Sequence, residues 1–233
     1  MRQPRRWHIY PDAEALARRA ADAIARAASQ AIGRKGSFRI VLAGGSTPRA
    51  VYQRLPQADG DWRRWHVYIG DERCAPAGHA DRNDAMARAA WLTHVPIPES
   101  QIYMMPAELG PHAGAARYAE TLAQVGDFDL VLLGLGEDGH TASLFPNVDA
   151  RRTQADVVPV HAAPKPPPER ISLSAARLSR SEQVFFLVAG AGKRQALASW
   201  MRGDSIPAAD IVPGAGVDIF VDRLAMPDMP LQF

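Results

Sequence analysis

Residues 128–140 read FDLVLLGLGEDGH, an apolar run that opens into a glycine-rich turn and ends on a histidine. Residues 129–133 form the most hydrophobic strand that the sequence predicts. The glycines that follow have the G-x-G-x-x-G spacing of a dinucleotide-binding turn. Two interpretations are therefore open: a nucleotide cradle, or a strand end whose bent backbone presents His140 for a reaction.

The residues around these glycines argue against a dinucleotide. Glu137 and Asp138 would repel a pyrophosphate at the place where it should lie. Pro146 stops any helix soon after the turn, although a dinucleotide turn opens directly into a helix. An imidazole beside an acid at the end of a buried strand is instead a candidate general base. We therefore predict that Asp138 and His140 face a cleft.

Strands and helices alternate along most of the chain, and several predicted strands are short apolar runs with little polar alternation. This pattern is typical of an α/β fold with a mainly parallel sheet covered by helices on both faces. The predicted strands are residues 38–42, 65–69, 102–105, 129–133, 171–173, 184–188 and 217–221. The predicted helices are residues 13–32, 48–55, 81–92, 112–125 and 193–201. The proline-rich segment 141–168 is poorly periodic, and no linker divides the chain, so we expect one domain over residues 1–233.

The composition limits the possible partners. A formal net charge of +2 argues against nucleic acid, although it allows a local basic pocket for a small anion. Cys74 is the only cysteine, which excludes an internal disulfide and a thiolate metal cluster. No apolar run approaches the roughly 20 residues of a membrane span. No apolar stretch follows the basic N-terminus, so we expect no signal peptide and a cytoplasmic protein.

Ligands of such sheets bind beyond the carboxyl ends of the strands, and two more strand ends carry unusual residues. The turn Gly44-Gly45-Ser46-Thr47 precedes a predicted helix, where free N–H groups and hydroxyls can bind a phosphate. An ordinary strand-to-helix turn is the alternative for this motif.

The second strand end carries Asp71 and Arg73, which form either a solvated salt-bridge cluster or an oxyanion site. Arg170 and Lys193 lie beside later strands. Each of these two would alone be a surface charge, but together with Ser46 they could enclose a phosphate.

Four motifs occur in the order LAGGSTP, GDER, GLGEDGHTASLFP and KPPPERISL, between residues 42 and 173. Together they resemble the 6-phosphogluconolactonase family, and the run HTASLFP is the most specific of them. The resemblance implies a Rossmann-like fold shared with glucosamine-6-phosphate deaminase. It also implies hydrolysis of 6-phosphoglucono-δ-lactone, a small-molecule substrate, with no required cofactor or metal. One departure is Arg82, where the family pattern Asp-Ser-Asn has serine. We expect a monomer.

The resemblance also suggests roles for the candidate residues. His140 would take a proton from the attacking water, and Asp138 or Asp71 would orient the imidazole or the water. Arg73 would stabilise the charge growing on the carbonyl oxygen. The 6-phosphate would be held by Gly45, Ser46, Arg170 and Lys193. Gly44 and Thr47 belong to the same set of substrate- and phosphate-binding residues.

Two other functions remain as alternatives at this point. A glucosamine-6-phosphate deaminase has a similar turn followed by a pattern like His-Ile-Ala-Phe-Asn-Glu-Pro, in which a glutamate helps the histidine. Ser143-Leu144-Phe145-Pro146 stands there instead, without an acid. A sugar-phosphate-binding regulator that has lost catalysis would lack the histidine or the arginine, but both are present.

Overall fold

The computed structural model describes residues 3–146 and 153–228, and within these ranges the chain forms ten strands and six α-helices. The strands are β1 Arg5–Tyr10, β2 Phe38–Leu42, β3 Trp65–Ile69, β4 Asp71–Arg73, β5 Ile102–Tyr103, β6 Phe128–Gly134, β7 Val157–Val160, β8 Arg170–Leu173, β9 Ser181–Val188 and β10 Val217–Asp222. The helices are α1 Ala13–Lys35, α2 Ser46–Tyr52, α3 Asn83–Ala90, α4 Pro111–Leu122, α5 Ala175–Ser179 and α6 Arg194–Arg202. Short 3₁₀ turns connect several of them.

Seven strands form a parallel sheet in the order β1-β10-β9-β6-β2-β3-β5. The predicted α/β class with a mainly parallel sheet is therefore confirmed. β6 lies inside the sheet between β9 and β2, and its residues 128–133 are all buried, which explains why they are nearly all apolar. α1 packs against this sheet through an alanine-rich face and begins at Asp12, whose carboxylate accepts the N–H of Ala15 at 2.7 Å.

The direction in which successive strands are added to the sheet reverses between β2 and β6. β3 and β5 follow β2 toward one edge of the sheet, and the chain then returns to β6 on the other side of β2. Loops that leave β2 and β6 at their carboxyl ends diverge at such a point and leave a crevice between them. The crevice lies where the sequence analysis expects ligand contacts.

A second sheet, which the sequence analysis does not predict, contains three antiparallel strands in the order β4-β8-β7. The predicted strand at 171–173 belongs to this sheet as part of β8 and does not join the parallel one. β7 lies within the segment 141–168 that shows no clear periodicity, and residues 147–152 of that segment lie outside the described ranges. β1 at the sheet edge is likewise absent from the predicted strands. No helix in the described ranges has the length and hydrophobicity needed to cross a membrane.

Candidate active site

A cleft of about 330 Å³ opens at the carboxyl ends of β2, β6 and β9. The second sheet contributes residues from β4 and β8 to its wall. Of the residues singled out from the sequence, those lining the cleft are Gly44, Gly45, Ser46, Thr47, Asp71, Arg73, His140, Arg170 and Lys193. Asp138 does not line the cleft but contacts His140 directly. The fold thus brings together residues that are far apart in the sequence.

The imidazole of His140 is held by its neighbour Asp138. Nδ1 of His140 lies 2.5 Å from Oδ1 of Asp138, and the backbone N–H of His140 donates to the same oxygen at 3.1 Å. Partial burial alone would raise the pKa of Asp138, but these hydrogen bonds hold it below its usual range, so the carboxyl stays ionised. An ionised acceptor at Nδ1 favours the tautomer with the proton on Nδ1. Nε2 is then free to accept a proton.

The glycines of the opening motif make room for this histidine. A Cβ on Gly136 would overlap Nδ1 of the imidazole. The N–H of Gly136 donates to the carbonyl oxygen of His140 at 2.7 Å, which closes the turn, and Gly139 has a left-handed backbone with φ +82°. The G-x-G-x-x-G spacing therefore serves a tight turn around the imidazole.

Asp71 is nearly buried, and its carboxylate accepts hydrogen bonds from two side chains that the sequence analysis does not identify. Ser143 donates from Oγ to Oδ2 at 2.7 Å, and Asn83 donates from Nδ2 to Oδ1 at 3.3 Å. Gly44 has a packing role here, because a Cβ on it would overlap the amide of Asn83. No local pattern identifies these donors, since they come from the start of α3 and from the loop after β6.

The side chains of Glu72 and Arg73 are neighbours on β4 and point to opposite faces of the strand. Nη1 of Arg73 donates to the carbonyl oxygen of Asp81, while its buried Nε has no hydrogen-bond partner among the described residues. Glu72 is fully buried and accepts the N–H groups of Arg73, Asn83 and Asp84 at 2.8–2.9 Å. Burial raises the pKa of Glu72 to about 7, although the three N–H groups oppose this. The acidic pair thus has two functions, because Glu72 fixes the backbone and Asp71 faces the cleft.

The basic residues of the cleft differ in their surroundings. Burial lowers the pKa of Lys193, and the nearby Glu137 carboxylate partly offsets this. Lys165, which the sequence analysis does not identify as a site residue, also lines the cleft; its only sequence signal is its place in the KPPPERISL motif. Arg170 donates from Nε to the carbonyl oxygen of Pro167 at 3.1 Å and from Nη2 to that of Lys165 at 2.9 Å. Much of the Arg170 guanidinium therefore braces the loop that carries Lys165.

Arg82, where the family pattern has serine, does not line the cleft. Its side chain is 2% exposed and pairs with Asp84 at 2.7 Å and with Glu108 at 2.9 Å. It also donates to the carbonyl oxygens of Ala75 and Met105. The substitution is structural, because the guanidinium ties the start of α3 to the chain before and after it.

We expect Arg82→Ala to lower the free energy of unfolding by roughly 3 kcal/mol, because it leaves Asp84 partly buried without its cation. KM for the substrate should stay unchanged. Urea denaturation and steady-state kinetics measure the two effects. Arg88→Ala is the matched control in α3, since its partner Glu99 is exposed, and it should cost only about 0–1 kcal/mol. A large change in KM with unchanged stability would contradict the structural role.

Comparison with known proteins identifies relatives across most of the chain. The family model described as glucosamine-6-phosphate isomerases/6-phosphogluconolactonase matches residues 11–220. A 6-phosphogluconolactonase from Nostoc sp. is 39% identical over 199 residues, which are 82% of each chain.

Solved structures show the same fold. A 6-phosphogluconolactonase from Thermotoga maritima superposes with a TM-score of 0.88 at 24% identity, over 94% of this chain and 100% of the other. A monomeric glucosamine-6-phosphate deaminase superposes with a TM-score of 0.82 at 19% identity, over 94% and 98%. The predicted similarity to the deaminase fold is thereby confirmed.

Proposed function

Because this chain belongs to the family of glucosamine-6-phosphate isomerases and 6-phosphogluconolactonases, we propose that its cleft hydrolyses a sugar-phosphate lactone with His140 as the general base. The enzyme converts 6-phospho-D-glucono-1,5-lactone to 6-phospho-D-gluconate in the oxidative pentose phosphate pathway, as the names of its relatives indicate. The observation that carries the proposed mechanism is the imidazole of His140, which is hydrogen-bonded to Asp138 and lines the same cleft as Arg73 and Lys193.

Hydrolysis begins with the attack of a water molecule on the lactone carbonyl carbon. Nε2 of His140 takes a proton from that water, while Asp138 holds Nδ1–H and stabilises the imidazolium that forms. The negative charge that develops on the carbonyl oxygen is stabilised by the guanidinium of Arg73. The bond between the carbonyl carbon and the ring oxygen then breaks. The ring oxygen leaves with the proton from His140, and the product is a hydroxy acid.

The 6-phosphate is held by the positive charge that Lys193 and Lys165 supply to the cleft. Gly45 precedes α2 without a side-chain cap, so the first N–H groups of this helix have no side-chain acceptor within the described ranges. Ser46 and Thr47 add hydroxyl donors beside Gly44 and Gly45. Binding energy from the phosphate positions the lactone carbonyl near His140.

Arg170 contributes in two ways in this proposal. Its contacts with backbone carbonyl oxygens hold the Lys165 loop in place, and its remaining nitrogen, Nη1, makes no hydrogen bond within the described residues. Lys193 and Lys165 therefore supply the main positive charge to the phosphate, and Arg170 acts by positioning Lys165 and through its Nη1.

We expect Lys193→Ala to raise KM for 6-phosphogluconolactone about 10–100-fold, because a hydrogen bond to a charged group is lost. KM for unphosphorylated gluconolactone should not change. Arg170→Ala should show the same selectivity with a smaller effect. Arg117→Ala on the exposed face of α4 is the control for the loss of one positive charge. Phosphate binding elsewhere would be indicated if none of these variants altered discrimination between the two lactones.

The deaminase alternative is not favoured by the surroundings of His140. Leu144 and Phe145 are buried apolar side chains, and the ring of Phe145 lies 4.6 Å from that of His140. No acid therefore takes the place of the glutamate in the deaminase pattern, which a ring-opening proton relay would need.

Assays with the two substrates test the proposed function directly. Purified enzyme should hydrolyse freshly generated 6-phosphogluconolactone well above the spontaneous rate and release no ammonia from glucosamine 6-phosphate. Ammonia release at enzymatic rates would favour the deaminase instead. The proposal also includes action as a monomer, as one domain over residues 1–233, in the cytoplasm, without nucleic acid and without a required cofactor or metal.

A further inference from the structure

The carboxylate of Asp71 has a different task from that of Asp138. The sequence alone leaves open which of the two carboxylates orients the imidazole of His140. In the structure, Asp138 contacts the ring directly, whereas no hydrogen bond among the described residues joins Asp71 to His140. Asp71 is also the one acidic side chain among the described residues that line the cleft. Its role must therefore be sought in what it offers to the substrate.

The two carboxylate oxygens of Asp71 are oriented by hydrogen bonds from the buried side chains of Ser143 and Asn83. Ser143 is fully buried, and the acceptor of its hydroxyl is Oδ2 of Asp71 at 2.7 Å. The backbone of Ser143 is itself held, because its N–H donates to Oγ of Ser172 at 3.3 Å. Leu144 closes the loop with a hydrogen bond to the carbonyl oxygen of Thr141 at 3.0 Å. The Ser143 hydroxyl therefore has little freedom to follow a moving carboxylate.

Asn83 fixes Asp71 from the other side. Its Nδ2 donates to the carbonyl oxygen of Asp71 at 2.7 Å and to Oδ1 at 3.3 Å. The N–H of Asn83 donates in turn to buried Glu72 at 2.8 Å. The amide of Asn83 packs so closely on Gly44 that a side chain there would displace it. Both Asp71 oxygens are thus set by buried groups whose own backbone N–H groups are hydrogen-bonded.

An ionised carboxylate has about four acceptor positions, and the two side-chain donors occupy only part of them. The rest face a cleft whose other charged side chains are cationic. A phosphate or a developing oxyanion would be repelled by Asp71, whereas a ring hydroxyl is a donor that fits it.

From this geometry, and resting on the proposed function, we infer that Ser143 is a positioning residue that aims the Asp71 carboxylate at one hydroxyl of the lactone ring. Asp71 then recognises the sugar, and Asp138 alone orients His140. A lactone without that hydroxyl leaves one acceptor position of a buried carboxylate without a donor, which is the usual basis of strong discrimination against a deoxy substrate.

The test compares kcat/KM for 6-phosphogluconolactone with that for its singly deoxygenated analogues, each lacking one ring hydroxyl. The wild-type enzyme should disfavour one analogue by roughly 10–100-fold, the effect of a hydrogen bond to a charged group. Ser143→Ala should reduce this ratio to within a few-fold of the ratios for the other analogues. Unchanged ratios in a folded Ser143→Ala variant would overturn the inference.

Ser174→Ala is the matched control, because Ser174 is an equally buried serine whose Oγ accepts the N–H of Arg177 at the start of α5 and makes no hydrogen bond with Asp71 or Ser143. It should lower the melting temperature and leave the discrimination unchanged. Loss of discrimination in Ser174→Ala as well would show a general effect of lowered stability and would also overturn the assignment.

Two more variants keep the inference testable if Ser143→Ala does not fold. Ser143→Cys retains the size and a weak donor, so its discrimination should be intermediate. Asp71→Asn removes the charge and should abolish discrimination for the same analogue that Ser143→Ala affects. Discrimination retained in Asp71→Asn would refute the inference. Failure of the proposed function is distinguishable, because the wild-type enzyme would then not hydrolyse the parent lactone.

Discussion

Replacement of His140 by alanine should lower kcat for freshly generated 6-phosphogluconolactone by about 10²–10⁴-fold, the usual contribution of a general base. The physical reason is that the attacking water loses the imidazole that takes its proton, while Asp138 loses the imidazole that it contacts. KM and the affinity for 6-phosphogluconate should change little, since the phosphate contacts belong to other elements. Folding should be preserved, because the His140 side chain is partly exposed.

The measurement needs one correction and one control variant. The rate of spontaneous lactone hydrolysis must be subtracted, because it adds to the residual rate of the variant. His94→Ala is a suitable control, because His94 is exposed in a 3₁₀ turn that does not line the cleft. Wild-type kcat in a correctly folded His140→Ala protein would falsify the base assignment.

A methyl group added at Gly136 should cause a similar loss of turnover through the same histidine. The Cβ of Gly136→Ala would overlap Nδ1 of His140 and push the imidazole away from Asp138. We expect kcat to fall about 10²-fold, toward the effect of losing the base. The free energy of unfolding should fall by about 1–3 kcal/mol, as is usual for an overpacked site.

A double-mutant cycle separates this effect from a general disturbance of the turn. If Gly136→Ala acts only through the imidazole, then Gly136→Ala/His140→Ala should be no slower than His140→Ala alone. Gly126→Ala, near the other end of β6, is the control, because its Cβ meets only Nη1 of Arg39 at an ordinary 3.6 Å. Additive losses in the double variant would show that the turn has a function besides holding the ring.

The main sheet could be predicted largely from the sequence because its strands are buried on both faces. Strands β2 and β3 have the predicted bounds, and β6 extends one residue beyond its prediction at each end. Both faces of such a strand must be apolar, so the signal is continuous and strong. Helix α1 begins at the predicted residue Ala13, directly after its capping residue Asp12, but it runs to Lys35, three residues beyond its predicted end.

The strands that were missed lack this signal. β1 reads RRWHIY and lies at the sheet edge, where it pairs only with β10, so polar residues interrupt the pattern. β7 reads VVPV and contains a proline. Because proline lacks a backbone N–H, an apolar run that contains it is predicted to be an edge strand or no strand at all. Both strands gain their stability from partners that are distant in sequence, and no local periodicity reports such pairing.

The candidate site shows the same division. Motifs at strand ends were enough to select His140, Arg73, Asp71 and Lys193, because the parallel sheet sends all carboxyl ends to one edge. The sequence left open whether Asp71 or Asp138 orients the imidazole. The observed hydrogen bonds place Asp138 on the ring and Asp71 on Ser143 and Asn83.

The sequence by itself therefore determined the fold class through its apolar periodicity, the family through the resemblance of its motifs, and most of the predicted residues that meet at the cleft through its strand ends. All of these are local properties of the chain. Only the tertiary structure decided which carboxylate each donor holds, why Arg82 is buried away from the cleft, and that β4, β7 and β8 form a sheet of their own. The reason is physical: a hydrogen bond requires a donor–acceptor distance of about 2.7–3.2 Å, a range only a few tenths of an ångström wide, and long-range packing sets that distance.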